Sequence, residues 1–230
     1  MMTIHECDDI LAFSNSFTFQ NISNYKYLAV TFSARNGAAF GYNYFTSRSI
    51  PAIFISCKKN NWWHSEATIK VLDIIKEIAN KSGYEIITYG SSMGGYACIH
   101  FSQYLQSSKS VAIAPQSILE PKKTIDNRWD QETSSISYLF DEEIRISKNK
   151  VLTYVFFDNF DALDKYHAES LIGGNFKLIQ CPYCTHSVAR SLSKDNLFSS
   201  FLLSLFRGEE ANDAEMEKYF SEIYKNDRKA

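Results

Sequence analysis

EIITYGSSMGG, residues 85–95, is the stretch that decides the fold predicted for this chain. Its first five residues form an apolar run typical of a buried strand, and YACIHF at 96–101 is typical of a helix that follows directly. Between them, Ser92 lies in a G-x-S-x-G pattern, which forms a strained strand-to-helix turn that exposes the serine hydroxyl. Glycine at positions 90 and 94 suits a turn whose backbone passes close to its neighbours. The stretch therefore predicts a nucleophilic serine at the carboxyl end of a strand.

Short apolar runs alternate with helical patterns along most of the chain, which predicts an α/β fold with a mostly parallel sheet and helices on both faces. Besides the strand before Ser92, the predicted strands are 27–33, 52–56, 111–114, 151–157 and 176–181, with an antiparallel edge strand at 17–22. The predicted helices are 65–81, 93–106 and 188–206. Because no repeat or low-complexity linker interrupts this pattern, we expect a single domain over residues 1–207.

Two segments depart from the alternation. Residues 116–150 mix helical and irregular character between two strands, which predicts a small insertion over the carboxyl edge of the sheet that lines the site. Residues 208–230 are charged, with apolar residues around Met216 and Ile223, which predicts a C-terminal helical tail. Such a tail can pack on the domain or on a second copy of the chain, as in a homodimer.

Composition and charge exclude several classes of function. The 230 residues are 45% hydrophobic and 22% charged with a net charge of -2, which gives no reason to expect a nucleic-acid or anionic-membrane partner. No stretch approaches the roughly 18 apolar residues of a membrane span, and the first residues lack the pattern of an export signal. The five cysteines are an odd number, which fits a reducing compartment. We therefore expect a cytoplasmic protein.

The partners of the serine follow from their order along the chain. In α/β-hydrolases the nucleophile is followed first by an acid and then by a histidine, each beyond a later strand. His186 lies in the loop after the last predicted strand and is the predicted general base. Asp158 stands at the end of the preceding strand and Asp161 three residues beyond it; the spacing favours Asp161, and both remain candidates for the acid. Asp164 has the features of a helix N-cap.

The remaining site residues follow from the fold and from residue type. The predicted oxyanion hole uses the backbone N–H of Met93 and that of Ala34, in the loop after the first core strand. Trp62, Tyr96 and Trp129 are predicted walls of a substrate pocket, because aromatic faces suit the apolar faces of sugar rings. Ordinary packing is the alternative for these three side chains. The expected mechanism passes through an acyl-enzyme and requires no cofactor and no metal.

With these residues placed, the chain resembles a group of bacterial α/β-hydrolases associated with surface-polysaccharide (capsule-type) biosynthesis. The specific part of the resemblance is Tyr89–Ala97, and the supporting stretches are Leu28–Ser33, Asn61-Trp62, Ala114–Gln116, Arg128-Trp129, Leu163–Ala168 and His186–Arg190. The resemblance implies a serine esterase whose substrate is a small-molecule or glycan ester, such as a deacetylase or acyltransferase acting on a glycan. That family tends to have Asp-Pro where this chain has Asp158-Asn159, so the resemblance implies Asp158 as the acid.

Three other interpretations remain open. Cys181-Pro182-Tyr183-Cys184 is a C-x-x-C run of the kind found in thiol-redox proteins. The same cysteines with His186 would offer three zinc ligands, although a fourth is not evident. A hydrolase-like scaffold could also bind a glycan or a protein partner without catalysis, with the turn around Ser92 serving only as a flexible connection.

Overall fold

An eight-stranded sheet runs through the part of the chain that the computed structural model describes, which comprises residues 2–7, 9–18 and 25–209 with Ala214, Lys218, Tyr219 and Glu222. Its strands are β1 (Met2–Glu6), β2 (Ile10–Ser14), β3 (Tyr27–Phe32), β4 (Ala52–Cys57), β5 (Glu85–Ser91), β6 (Lys109–Ile113), β7 (Leu152–Phe157) and β8 (Phe176–Gln180). They lie in the order β1-β2-β4-β3-β5-β6-β7-β8. The strands from β4 to β8 in this order are parallel, while β2 pairs antiparallel with both β1 and β4.

The helices cover both faces of this sheet. They are α1 (Tyr42–Ser47), α2 (Glu66–Ser82), α3 (Met93–Phe101), α4 (Asp130–Thr133), α5 (Glu142–Lys148), α6 (Ala162–Glu169), α7 (Val188–Leu192) and α8 (Asn196–Arg207). One apolar cluster joins α2, α3 and α5 to the sheet, and a second joins α1, α7 and α8 to it. The predicted mostly parallel sheet with helices on both faces is therefore confirmed.

The predicted elements differ from the observed ones at specific places. The antiparallel edge is formed by β1 and β2; of the strand predicted at 17–22, residues 17 and 18 lie in a turn and the others lie outside the described residues. The helix predicted at 188–206 is two helices, because the Asp195 side chain accepts a hydrogen bond from the N–H of Phe198 and starts α8 anew. Most of the predicted tail at 208–230 lies outside the described residues.

The strand order creates a crevice at one place on the sheet. After β3 the chain adds β4 on one side and then returns to place β5 on the other side of β3. Because the connections after β3 and β5 leave in opposite directions, a crevice forms beyond their carboxyl ends, where ligands bind in open α/β sheets. Ala34 follows β3 and Ser92 follows β5, so both predicted site residues lie at this crevice.

The segment 116–150 contains α4 and α5 and packs on α3. The carboxylate of Glu142 accepts hydrogen bonds from the Tyr96 hydroxyl (2.7 Å) and from the backbone N–H of Leu119 (3.0 Å). Burial raises the pKa of Glu142 above its ordinary value. Across the described ranges of the chain, every helix is too short or too polar to cross a membrane.

Candidate active site

Ser92 occupies a sharp turn between β5 and α3. Its φ of 53° and ψ of -119° lie in a region that non-glycine residues rarely adopt. The turn is held by hydrogen bonds from Ser92 N–H to the Ile113 carbonyl and from Tyr96 N–H to the Ser92 carbonyl, both 2.9 Å. Such strain persists only where the surrounding structure enforces it, and it concentrates at functional sites.

Close packing explains the two glycines that flank the serine. A Cβ on Gly90 would overlap the Gly94 carbonyl, and a Cβ on Gly94 would overlap the carbonyl of Phe32 at the end of β3. The backbone on both sides of Ser92 is therefore pressed together. This contact also brings the start of α3 against the loop that follows β3, as an oxyanion hole built from these two segments requires.

A chain of two hydrogen bonds connects Ser92 to a histidine and a carboxylate. The Ser92 hydroxyl lies 2.9 Å from Nε2 of His186, and Nδ1 of His186 lies 2.8 Å from Oδ1 of Asp164. The Asp164 side chain is only 1% exposed, whereas that of His186 is 27% exposed. A buried carboxylate that accepts from Nδ1 leaves the lone pair of Nε2 directed at the hydroxyl, which is the tautomer that can remove its proton.

The acid that contacts His186 is therefore neither Asp161 nor Asp158, and this part of the sequence prediction is wrong. Asp161 is the N-cap of α6, and its Oδ1 accepts hydrogen bonds from the N–H groups of Leu163 (3.1 Å) and Asp164 (3.0 Å). Asp164 is not the N-cap but the third residue of the helix, and its side chain points to His186. The Asp161-x-x-Asp164 spacing resembles a capping box, in which the first residue is the N-cap and the second lies in the first helical turn. This spacing was the sequence signal that Asp161, and not Asp164, caps the helix.

Asp158 holds the loop that carries His186. Its carboxylate accepts hydrogen bonds from the N–H groups of Phe160 (2.8 Å), Tyr183 (3.1 Å) and Thr185 (2.6 Å). Tyr183 and Thr185 both have positive φ values, 64° and 53°. A buried carboxylate with three donors thus stabilises an otherwise unfavourable loop conformation. Asp158 orients the histidine loop without contacting the histidine ring.

A second layer of charged groups lies behind Asp164. The Arg128 guanidinium lies 3.4 Å from Oδ1 of Asp164 and 2.7 Å from Oδ2 of Asp126. The buried His167 lies 2.9 Å from the same Asp126 oxygen. Burial alone would raise the pKa of Asp126, but the hydrogen bonds from His167 and Arg128 outweigh it and hold that pKa well below its ordinary value. No sequence pattern indicated a role for Arg128 or Asp126.

The two predicted oxyanion-hole residues, Met93 and Ala34, lie on the segments that follow β5 and β3. Met93 is the first residue of α3, and Ala34 begins the turn after β3. The N–H groups of the first helical turn have no partner within the helix, and the Ser92 side chain caps none of them. The indole N–H of Trp63 donates to the Met93 carbonyl over 2.9 Å and fixes this turn from the other side. The assignment of Met93 and Ala34 stays a prediction.

Two of the three predicted pocket walls are buried. Trp62 and Tyr96 are both 0% exposed, so the structure gives their side chains no open surface for a substrate. Trp62 packs edge-on against Tyr96, whose hydroxyl is committed to Glu142 and to Nε2 of His64, 2.7 Å away. Trp129 differs, because it is half-buried and its ring centroid lies 6.3 Å from that of His186.

A cavity of about 330 Å³ lies between α1 and the pair α7 and α8. It is lined by aromatic and aliphatic side chains, with Arg48 and Lys194 also present, and Trp62, Tyr96 and Trp129 are not part of its wall. Tyr89 and Ala189 line it, and each is three residues away from Ser92 or His186. Ser92, His186 and Asp164 themselves are not part of its wall.

The C-x-x-C run does not have the properties of a reactive dithiol. Cys181 and Cys184 are both buried and are not joined in a disulfide. Burial raises the pKa of the Cys181 thiol well above its ordinary value, so the thiolate needed for exchange is disfavoured. Within the ranges that the structure describes, no group of three or more His, Cys, Asp or Glu residues is arranged to hold a metal ion.

Comparison with solved structures identifies the fold. An α/β-hydrolase enzyme from a Medee basin deep-sea metagenome library has a TM-score of 0.62 and 12% identity, covering 93% of this chain and 99% of its own. A capsule O-acetyltransferase of Neisseria meningitidis serogroup A, in complex with CoA, has a TM-score of 0.58 and 13% identity, covering 87% of this chain and 93% of its own. An esterase from Pyrococcus furiosus has a TM-score of 0.56 and 11% identity, covering 86% of this chain and 88% of its own.

No protein-family model matches the chain, and no curated protein matches its sequence significantly. The identities to the solved structures are low, so the similarity concerns the fold. That similarity agrees with the strand order and with the strained serine turn between β5 and α3. The chain has the α/β-hydrolase fold that its sequence predicted.

Proposed function

We propose that the chain is a serine hydrolase of carboxylic esters that works through an acyl-enzyme, with Ser92, His186 and Asp164 as its triad. The observation that carries this proposal is the hydrogen-bond chain from Ser92 Oγ to His186 Nε2 (2.9 Å) and from His186 Nδ1 to Asp164 Oδ1 (2.8 Å). It lies at a ligand-binding crevice of the fold and starts from a strained residue. A structural connection alone would require neither feature.

The mechanism follows from these contacts. Ser92 Oγ attacks the ester carbonyl carbon while its proton passes to His186 Nε2, and the carbonyl electron pair becomes an oxyanion that faces the free N–H groups at the start of α3. When this intermediate collapses, the bond to the alcohol breaks and the leaving oxygen takes the proton from Nε2. Water, activated by the same nitrogen, then attacks the acyl-enzyme and releases the acid. Throughout, Asp164 stabilises the imidazolium without taking its proton.

Transfer of the acyl group to a sugar hydroxyl is the second candidate function. The half-buried ring of Trp129 lies beside His186, and the Arg35 guanidinium covers it at 4.4 Å from the ring centroid. The indole nitrogen of Trp129 is buried and has no hydrogen-bond partner within the described residues. The exposed part of an aromatic ring next to the general base suits a sugar ring that presents a hydroxyl. The fold similarity to a capsule O-acetyltransferase makes a glycan acceptor worth testing.

Labelling with a fluorophosphonate probe tests the nucleophile. The wild type should be labelled and the peptide containing Ser92 should carry the added mass, whereas Ser92→Ala should not react. Ser91→Ala is the matched control, because Ser91 is the adjacent serine and is buried at the end of β5. Absence of labelling in folded wild-type protein, or labelling that persists in Ser92→Ala, would show that the proposed function is wrong.

Product analysis distinguishes hydrolysis from transfer. The protein is given an activated acetyl ester or acetyl thioester with and without a sugar alcohol, and the free acid and acetylated sugar are quantified by mass spectrometry. A transferase should form acetylated sugar in preference to free acid, and Trp129→Ala should lower that ratio more than it lowers total turnover. Free acid as the sole product in the presence of every acceptor would favour the esterase.

A further inference from the structure

Gln116 is the polar side chain next to Ser92 that the proposed triad does not use. It follows β6 by three residues and is 0% exposed, and its Oε1 lies 3.5 Å from the Ser92 hydroxyl. Its Nε2 is buried and has no hydrogen-bond partner in the described parts of the chain. A buried amide with an unpaired N–H group is costly and therefore points to a ligand or a function.

The backbone before Gln116 is built to hold it in place. Ala114 has a φ of 42°, in the left-handed region that a residue with a Cβ rarely adopts, and its N–H donates to the Phe156 carbonyl over 2.7 Å. Pro115 packs against Gly95 of α3 so closely that a Cβ there would lie 2.9 Å from the proline Cβ. Strain and close packing thus direct Gln116 at Ser92 from a second strand.

The protons available at Ser92 decide which end of the amide should face it. Because Nδ1 of His186 donates to Asp164, Nε2 can only accept, and the single proton of the Ser92 hydroxyl is committed to it. Ser92 Oγ can then only accept a further hydrogen bond, whereas an amide oxygen cannot donate one. Rotating the Gln116 amide by half a turn replaces this contact between two acceptors with an Nε2–H donor and gives the unpaired N–H group a partner.

We propose that the Gln116 side-chain amide is a hydrogen-bond donor to the reacting centre, where it supplements the backbone N–H groups of the oxyanion hole. This inference rests on the proposed function. When Ser92 Oγ loses its proton to His186 and bonds to the carbonyl carbon, the negative charge forms on an oxygen attached to the same carbon, two bonds from Ser92 Oγ, the atom that Nε2 of the rotated Gln116 amide faces. A preorganised donor there stabilises the intermediate more than the ground-state ester, and it does so without reorganisation.

Kinetics of Gln116→Leu test this role. Loss of an oxyanion donor should lower kcat by about 100-fold and leave KM within about threefold, because the interaction strengthens in the transition state. The affinity for a trifluoromethyl ketone, which forms a tetrahedral adduct with the serine, should fall by the same factor as kcat/KM. Gln131→Leu is the matched control, since Gln131 is exposed on α4, and it should behave as the wild type.

The possible results separate the role of Gln116 from the triad proposal. If the wild type is active and Gln116→Leu has an unchanged kcat or an unchanged affinity for the ketone, the role of Gln116 is overturned and the triad proposal stands. Absence of both labelling and turnover in folded wild type would overturn both. Gln116→Met is unbranched, has nearly the same size and cannot donate, so it provides the test if the leucine variant does not fold; it should lose a similar factor in kcat.

Discussion

Asp164→Asn is the substitution that most directly tests which acid serves the site. The Asp164 carboxylate accepts from Nδ1 of His186 at 2.8 Å and is 1% exposed, so water cannot replace it. Asparagine preserves the size but can present an N–H group to Nδ1, which favours the tautomer with the proton on Nε2. That tautomer cannot accept the proton of Ser92. Comparable substitutions in serine hydrolases lower kcat by about 10⁴-fold, or about 5.4 kcal/mol of transition-state stabilisation.

The assay is steady-state turnover of an activated acetyl ester at pH 8, with Asp161→Asn and Asp158→Asn as matched controls. Asp161→Asn should stay within about threefold of the wild type, since asparagine caps helices as well as aspartate does. Asp158→Asn should fall between the other two, because it weakens hydrogen bonds that hold the histidine loop but leaves the ring contact intact. A loss below about tenfold in Asp164→Asn, or a larger loss in either control, would refute the assignment.

Two further predictions concern charge. Arg128→Met should shift the acidic limb of the pH–kcat/KM profile to higher pH. The reason is that removing a cation 3.4 Å from Asp164 strengthens the attraction of that carboxylate for protonated His186. An acidic limb at unchanged or lower pH would contradict this prediction. Burial lowers the pKa of His64 and of His100 to about 3, so each remains neutral in the folded protein while it protonates in the unfolded chain below its ordinary pKa of 6.5. The free energy of unfolding is therefore highest above pH 6.5 and falls as the pH is lowered, because the unfolded chain gains a proton at each histidine that the folded protein does not. At pH 5 this loss is about 2 kcal/mol per histidine. Urea unfolding at pH 7 and pH 5 measures this loss, which His64→Phe should reduce by about half, and equal stabilities at the two pH values would rule it out.

Periodicity was sufficient to predict the central part of the fold. Strands β3 to β7 are mostly apolar and mostly buried, as expected of strands covered on both faces, and the ends of β3 to β8 were each predicted to within two residues. The edge strand β1 was missed because it mixes polar with apolar residues and is partly exposed, whereas β2 was missed although it is a short, buried apolar run. The break between α7 and α8 was missed although the polar residues 193–196 interrupt the apolar pattern there and Asp195 is a favoured N-cap residue.

The sequence by itself determined where the proposed nucleophile and its histidine lie, because both positions depend on local features. Ser92 requires a strand, glycines and a helix within about a dozen residues, and His186 requires a loop directly after a strand. These features are encoded by neighbouring residues, and the structure brings the two side chains to 2.9 Å.

Only the tertiary structure decided which carboxylate contacts His186 and which aromatic side chains are accessible. Asp158, Asp161 and Asp164 lie within seven residues, and their directions depend on the residue at which α6 begins, which sequence patterns specify only to within about two residues. Whether Trp62 and Tyr96 are open or covered depends on how the 116–150 segment folds back onto α3, through contacts between residues far apart in the chain. Long-range packing leaves no local signal, and for the same reason Gln116 gave no sign of its contact with Ser92.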